Sequence, residues 1–259
     1  FTGSGDAISV TGNIVINNGA TLTHTTNTTT ETYSLQMIAT GNLTIDAGGI
    51  ITADELGYSG NNGPGKSTAG SGDGGGHGGI GGDHGRNGTT SNVYGSFTAP
   101  VNIGSGSSGG STSGGGAIKL TVSGLSTING TITANGQGNS TQGNGSGGSV
   151  YITSGTIAGS GNINTNGGSA NIRGGGGGGR VAIILTTAAA DFTAYTGTNT
   201  AFGGQTSTAM QDGAAGTVYL EEQADAAGEG QLIIDNNDYD TYVGVTTQVN
   251  AGDIWNVKD

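Results

Sequence analysis

The chain has 259 residues, with 18 Asp and Glu against 6 Lys and Arg, a net charge of −12, and no cysteine. This balance argues against nucleic-acid binding, which needs basic residues to neutralise phosphate, and against a polybasic membrane anchor. The missing cysteines remove disulfides and thiolate metal sites. No run approaches the 18 apolar residues of a membrane helix, so no membrane insertion is expected. Glycine accounts for 58 residues, about three times its usual share near 7%. With only 2 prolines, collagen's stiffening residue is absent along with its period. The chain opens at Phe1 without Met, as a processed or excised product would.

In chain order, the stretch 7–24 holds three short alternating apolar runs separated by Gly or Asn-Gly turns, a strand pattern. A second set follows at Ser34-Leu-Gln-Met-Ile, Gly41-Asn-Leu-Thr-Ile-Asp and Gly49-Ile-Ile-Thr-Ala-Asp. Residues 57–116 then interrupt the pattern with a glycine-rich insertion. Its centre is three Gly-Gly-X triplets ending in His77, Ile80 and Asp83. A period of 3 matches a polyproline-II-type helix, which would set those three side chains on one edge.

After the insertion, similar runs recur at Ile118, Val150, Val181 and Val218, spaced 32, 31 and 37 residues apart. Periods of this size mark stacked repeats, each unable to bury its apolar face alone. Stacking predicts one inward ladder of Ile118, Val150, Val181 and Val218, and a second of Leu120, Ile152, Ile183 and Leu220. A third, of Ile51, Ile132 and Ile163, falls on another face. A glycine-rich loop follows each unit at the same corner. The predicted fold is therefore all-β: a right-handed parallel β-helix (a solenoid) of three short strands per turn. Residues 1–259 form one domain, with polyglycine-II-like loops packed on one side. No cap is visible at either end.

Few residues suggest chemistry. Asp46 and Asp54 read as isolated turn acids rather than the facing pair that glycoside hydrolysis requires. Arg173 and Arg180 flank a six-glycine run without clustered acids, and Arg180 reads as a solvated strand-end residue. His77, Asp83 and His84 are the nearest approach to a transition-metal set, but glycine offers them little outer support. Calcium at Asp235, Asp238 and Asp240 is possible, although Asn/Asp turns need no ion; no other cofactor is expected. Asn-X-Ser/Thr sequons stand at Asn27, Asn42, Asn87, Asn129, Asn139 and Asn144, as chance allows in a chain of this composition.

The phrases Asn42-Leu-Thr-Ile-Asp, Gly130-Thr-Ile-Thr-Ala-Asn-Gly and Gly213-Ala-Ala-Gly-Thr-Val-Tyr-Leu resemble glycine-rich β-helix segments of very large bacterial surface proteins. The glycine triplets are similar to polyglycine-II bundles. The first resemblance covers most of residues 7–236 and implies an extracellular, adhesin-like or fibrous role with no transferable catalytic residues.

The functional expectation is a secreted structural module, not an enzyme, that self-associates into a fibre, sheath or surface adhesin. The alternative is a carbohydrate-binding module recognising surface glycans through the glycine-loop face. Tyr58, Tyr94 and Phe97 would be its aromatic platform or would pin the loop onto the coil, within a ligand or packing face of Tyr58, His77, Ile80, Asp83, Tyr94 and Phe97. A polysaccharide-lyase-like enzyme is a more remote reading.

Overall fold

A computed structural model describes residues 7–68, 72–85, 91–169, 171–207, 211–239, 241 and 245–247. In chain order the strands are β1 (Ile8–Val10), β2 (Ile14–Ile16), β3 (Thr21–Leu22), β4 (Leu35–Ala39), β5 (Leu43–Ile45), β6 (Ile50–Thr52) and β7 (Ala117–Ile128). They continue with β8 (Thr131–Thr133), β9 (Ser149–Ala158), β10 (Asn162–Asn164), β11 (Arg180–Leu185), β12 (Thr198–Thr200), β13 (Thr217–Glu221) and β14 (Gln231–Ile233). Among the described residues there is no helix, and hence none long and apolar enough to cross a membrane.

The strands form two sheets. In the larger, β1, β4, β7, β9, β11 and β13 lie side by side in parallel, β14 closes onto β13 antiparallel, and β2 and β5 pair beside them, making nine strands. The smaller sheet orders β3, β6, β8, β10 and β12, all parallel. The expected closed β-helix of three strands per turn is not what forms. β7 passes through a register irregularity between Val122 and Leu125 and continues, so two of the three expected strands become one and belong to one sheet. Such an irregularity bends a strand without ending it. The antiparallel β14 makes that sheet mixed. Nor is the remaining side a strand layer: glycine-rich segments fill it, because residues without side chains give a sheet nothing to pack.

The register follows from the alternation. Ile118 pairs with Val150, Val150 with Val181 and Val181 with Val218. Ile51, Ile132 and Ile163 align in the smaller sheet. These side chains are at most 4% exposed and belong to a single apolar core shared by both sheets. Burying each aliphatic side chain is worth roughly 1.5–3 kcal/mol.

Asparagine fixes the corners between layers. Asn13 Oδ1 accepts the Asn42 amide at 2.8 Å, and Asn42 Oδ1 accepts the Leu125 amide at 2.9 Å. At another corner Asp54 Oδ1 accepts from the Asn135 amide (2.6 Å), Asn135 from Asn166 (2.8 Å) and Asn166 from Phe202 (2.8 Å). Each side chain satisfies a turn amide of the following layer that the ladder leaves unpaired.

The glycine segments form a third, hydrogen-bonded layer. Gly78 donates to Gly178 (2.9 Å), Gly178 to Ala214 (2.9 Å), Gly147 to Gly177 (2.9 Å), Gly177 to Gly75 (2.8 Å) and Gly82 to Gly175 (2.8 Å). Segments far apart in sequence are thus tied backbone to backbone. A Cβ on Gly178 would be driven into the carbonyl oxygen of Ala201, so the spacing exists only because no side chain is present.

Candidate functional site

The described residues of 57–116, between β6 and β7, lie across the glycine layer. Gly74 to Asp83 are buried and bonded to the segments at Asn144, Gly175–Gly178, Ala214 and Thr246. The centre of this contact is a cluster of His77, Tyr94 and Arg180.

His77 is wholly buried. Its Nδ1 donates to the Gly147 carbonyl at 2.9 Å, its ring lies against Tyr94 with centroids 4.6 Å apart, and its Nε2 has no hydrogen-bond partner. Burial first, and then the nearby Arg180 guanidinium, push its pKa down to about 3. A second proton would place an unsolvated charge beside another cation, with no acceptor at Nε2. The Tyr94 hydroxyl donates to the Ile103 carbonyl at 2.6 Å and lies 2.8 Å from Ser105 Oγ. Burial raises its pKa, so it stays a neutral phenol.

Arg180 opens β11 and exposes none of its surface, which corrects the expectation of a solvated strand end. Nε donates to the Tyr94 carbonyl at 3.0 Å and Nη1 to Thr217 Oγ1 at 3.1 Å. The segment that covers it lies some ninety residues upstream, so no pattern local to Arg180 announces its burial. Beside it, Phe97 packs edge-on against Tyr219 at 5.5 Å between centroids and against Ala182, sealing the outer face of the larger sheet.

The other named residues are also absorbed into packing. Ile80 joins Ala214 and Val245 in a small apolar cluster, and Asp83 is fully buried. Tyr58 is half-buried, its backbone bonded to Gly104 and Gly114; burial and Glu31 raise its pKa. His77, Ile80, Asp83 and Phe97 therefore point into the contact between insertion and layers, not out from a ligand-facing surface. Glu31 pins the far side, accepting from Asn102 Nδ2 at 3.2 Å and the Ile103 amide at 3.3 Å. Burial raises its pKa.

Asp73 accepts from Ser67 Oγ at 2.8 Å and the His84 amide at 3.1 Å. His84 meets Arg173 Nη1 at 3.2 Å. Among the described residues no three His, Asp or Glu side chains converge on a metal position. Asp235 accepts from the Asn237 amide in its own turn, and Asp240 lies outside the described residues. Asp54 spends its second oxygen on Thr133 Oγ1 at 2.9 Å. Two sequon asparagines, Asn27 and Asn144, are buried and bonded to backbone carbonyls.

What the cluster does chemically is hold a neutral imidazole, a neutral phenol and a guanidinium in one dry contact, with their donors directed at carbonyl and hydroxyl oxygens. That geometry joins the insertion to β11 and β13 through side chains, as the glycine layer joins it through backbone. No protein family, curated protein or solved structure matches this chain.

Proposed function

We propose that the chain is a structural module of an extracellular fibre, sheath or surface adhesin, a rigid building block rather than a catalyst. The observation that supports this reading is the repeated in-register stacking of parallel strands tied to a hydrogen-bonded glycine layer. Such an arrangement lengthens by adding layers, since every new strand meets a surface like the one before it. Its acidic, Thr- and Asn-rich exterior suits a hydrated surface. The carbohydrate-binding reading loses support, because Phe97 and the Tyr94 hydroxyl are engaged inside the contact.

Immunogold labelling of the source cells with antibody raised to residues 7–239 tests the proposal. Label should follow fibres, a sheath or the outer surface. Label confined to the cell interior, or released wholly into the soluble fraction, would overturn it.

A further inference from the structure

An asparagine followed by glycine can be attacked through its own chain, because the glycine amide reaches the side chain before it with no Cβ in the way. The dipeptide occurs at Asn18, Asn62, Asn129, Asn135, Asn144 and Asn166, and at Asn87, which lies outside the described residues. The fold treats these turns unequally. Attack needs a glycine amide free to give up its proton, and five of the described turns withhold it. Gly19 donates to the Gly48 carbonyl at 3.0 Å, Gly130 to Ile45 at 3.1 Å, Gly136 to Asn166 at 2.9 Å, Gly145 to Gln137 at 3.0 Å and Gly167 to Phe202 at 2.8 Å. Four of the side chains are gripped as well. Asn129, Asn135, Asn144 and Asn166 each accept a backbone amide at Oδ1.

Asn62-Gly63 has neither restraint. Among the described residues the Gly63 amide makes no hydrogen bond and Asn62 Oδ1 accepts none. Both residues are half-buried, so water reaches them. Gly63 has φ +99°, a conformation that side chains resist. What is held is the rest of the turn. The Gly106 amide donates to the Asn62 carbonyl at 3.1 Å, and Asn62 Nδ2 donates to the Gly60 carbonyl at 2.9 Å and to Ser59 Oγ at 3.1 Å. The side chain is thus kept within its own turn, while its carbonyl oxygen and the amide that follows it are both open.

We infer that Asn62 is a site of spontaneous covalent modification, converting through a cyclic imide to aspartate and isoaspartate. Hydroxide or water takes the Gly63 amide proton, and that nitrogen bonds to Asn62 Cγ. The Cγ–Nδ2 bond breaks, and Nδ2 leaves as ammonia with a proton from water. A second water then reopens the imide. Cleavage of the new Cγ–N bond leaves aspartate in an ordinary backbone, whereas cleavage at the main-chain carbonyl leaves isoaspartate, with the chain running through Cγ. Either product adds a negative charge, and isoaspartate also lengthens the main chain at the turn that holds Gly106. The chemistry needs only solvent and does not depend on what the module builds.

The test ages the purified chain in mildly alkaline buffer, both folded and in guanidinium chloride, and follows each of these peptides by mass spectrometry. In the folded chain the amide-to-acid mass increase should build at Asn62 at least about tenfold faster than at Asn18, Asn129, Asn135, Asn144 or Asn166, whose glycine amides are released only by local opening. Denaturant should bring the rates together. Asn62→Gln, whose longer side chain closes a less favourable ring, should end the change in that peptide. Its persistence there would assign the chemistry to Asn61 and overturn the inference. A folded-state rate at Asn62 no faster than at the other turns would also overturn it. So would rates in denaturant that keep the folded-state ranking, since sequence and not fold would then set them.

Discussion

His77 offers the sharpest test of the buried cluster, because its geometry predicts the sign, window and size of an acid effect. Folding lowers the imidazole pKa from 6.5 to about 3. Between those values the unfolded chain binds a proton that the folded chain refuses. Stability must therefore fall as pH drops through 6.5, and go on falling until about 3. The slope is about 1.4 kcal/mol per pH unit, so the full window costs about 5 kcal/mol. Glu31 and Asp73 work in the opposite sense. Their raised pKa values mean the folded state takes up protons first, adding stability as pH falls. Subtracting a variant isolates the histidine. His77→Phe keeps a ring against Tyr94 but leaves the Gly147 carbonyl without its donor, costing about 2 kcal/mol at neutral pH. The variant no longer titrates, so urea-denaturation curves of the two proteins should cross near pH 5, where about 1.5 units of slope cancel that loss. Parallel curves between pH 7 and 4 would refute the burial of a neutral imidazole at this position.

Further expectations follow from neighbouring contacts. Arg180→Met removes the guanidinium that helps depress the His77 pKa, so the imidazole titration read by NMR should move upward; no movement would separate the two residues. Gly178→Ala should prevent folding or cost well over 3 kcal/mol, because the added methyl meets backbone and not a yielding side chain. Gly19→Ala, with open space around it but φ +79°, should cost only about 1–2 kcal/mol; equal losses in thermal denaturation would mean glycine is needed for conformation and not for spacing. Tyr219→Phe deletes the hydroxyl that donates to Glu221 and accepts from the Gly230 amide at 2.9 Å. A loss of about 1.5–3 kcal/mol is expected, with faster amide exchange across β14, and unchanged exchange there would remove it as the clamp of that end.

The apolar ladders were legible because a period of two and a recurrence near thirty residues leave little freedom for which residues face inward. Ile118, Val150, Val181 and Val218 meet as their spacing requires. The number of sheets was not legible. The pattern suggests three short strands per turn, whereas β7 runs on through Gly124 and keeps pairing on either side of the irregularity. The closure at β14 was hidden for a different reason: Gln231-Leu-Ile carries no mark of whether it will pair parallel or antiparallel. The candidate residues of the insertion could be named, but not their direction. Whether Phe97 faces water or Tyr219 depends on where a sixty-residue excursion lands, and local pattern contains no information about that.

Glycine in this chain does the opposite of what it does in a linker. A flexible segment would leave its amides to water, yet those of Gly75, Gly78, Gly82, Gly147, Gly175 and Gly177 all reach carbonyls of other segments. Ordering such backbone is entropically expensive, about 1–2 kcal/mol per residue, and glycine gives up more freedom than any other residue. With almost no side chains to bury, the layer cannot recover that cost through apolar contact. Two devices remain: dense backbone hydrogen bonding, and a few large side chains that fasten the layer to the sheets. His77, Tyr94, Phe97 and Arg180 are those fasteners, which is why residues resembling a ligand platform are found inside. It also explains why the fastening set is neutral except for one guanidinium whose Nε and Nη1 are held by a carbonyl and a hydroxyl. A charged imidazole there would sit unsolvated beside Arg180, so His77 stays neutral in the folded state down to about pH 3, and the contact loses stability as pH falls below 6.5.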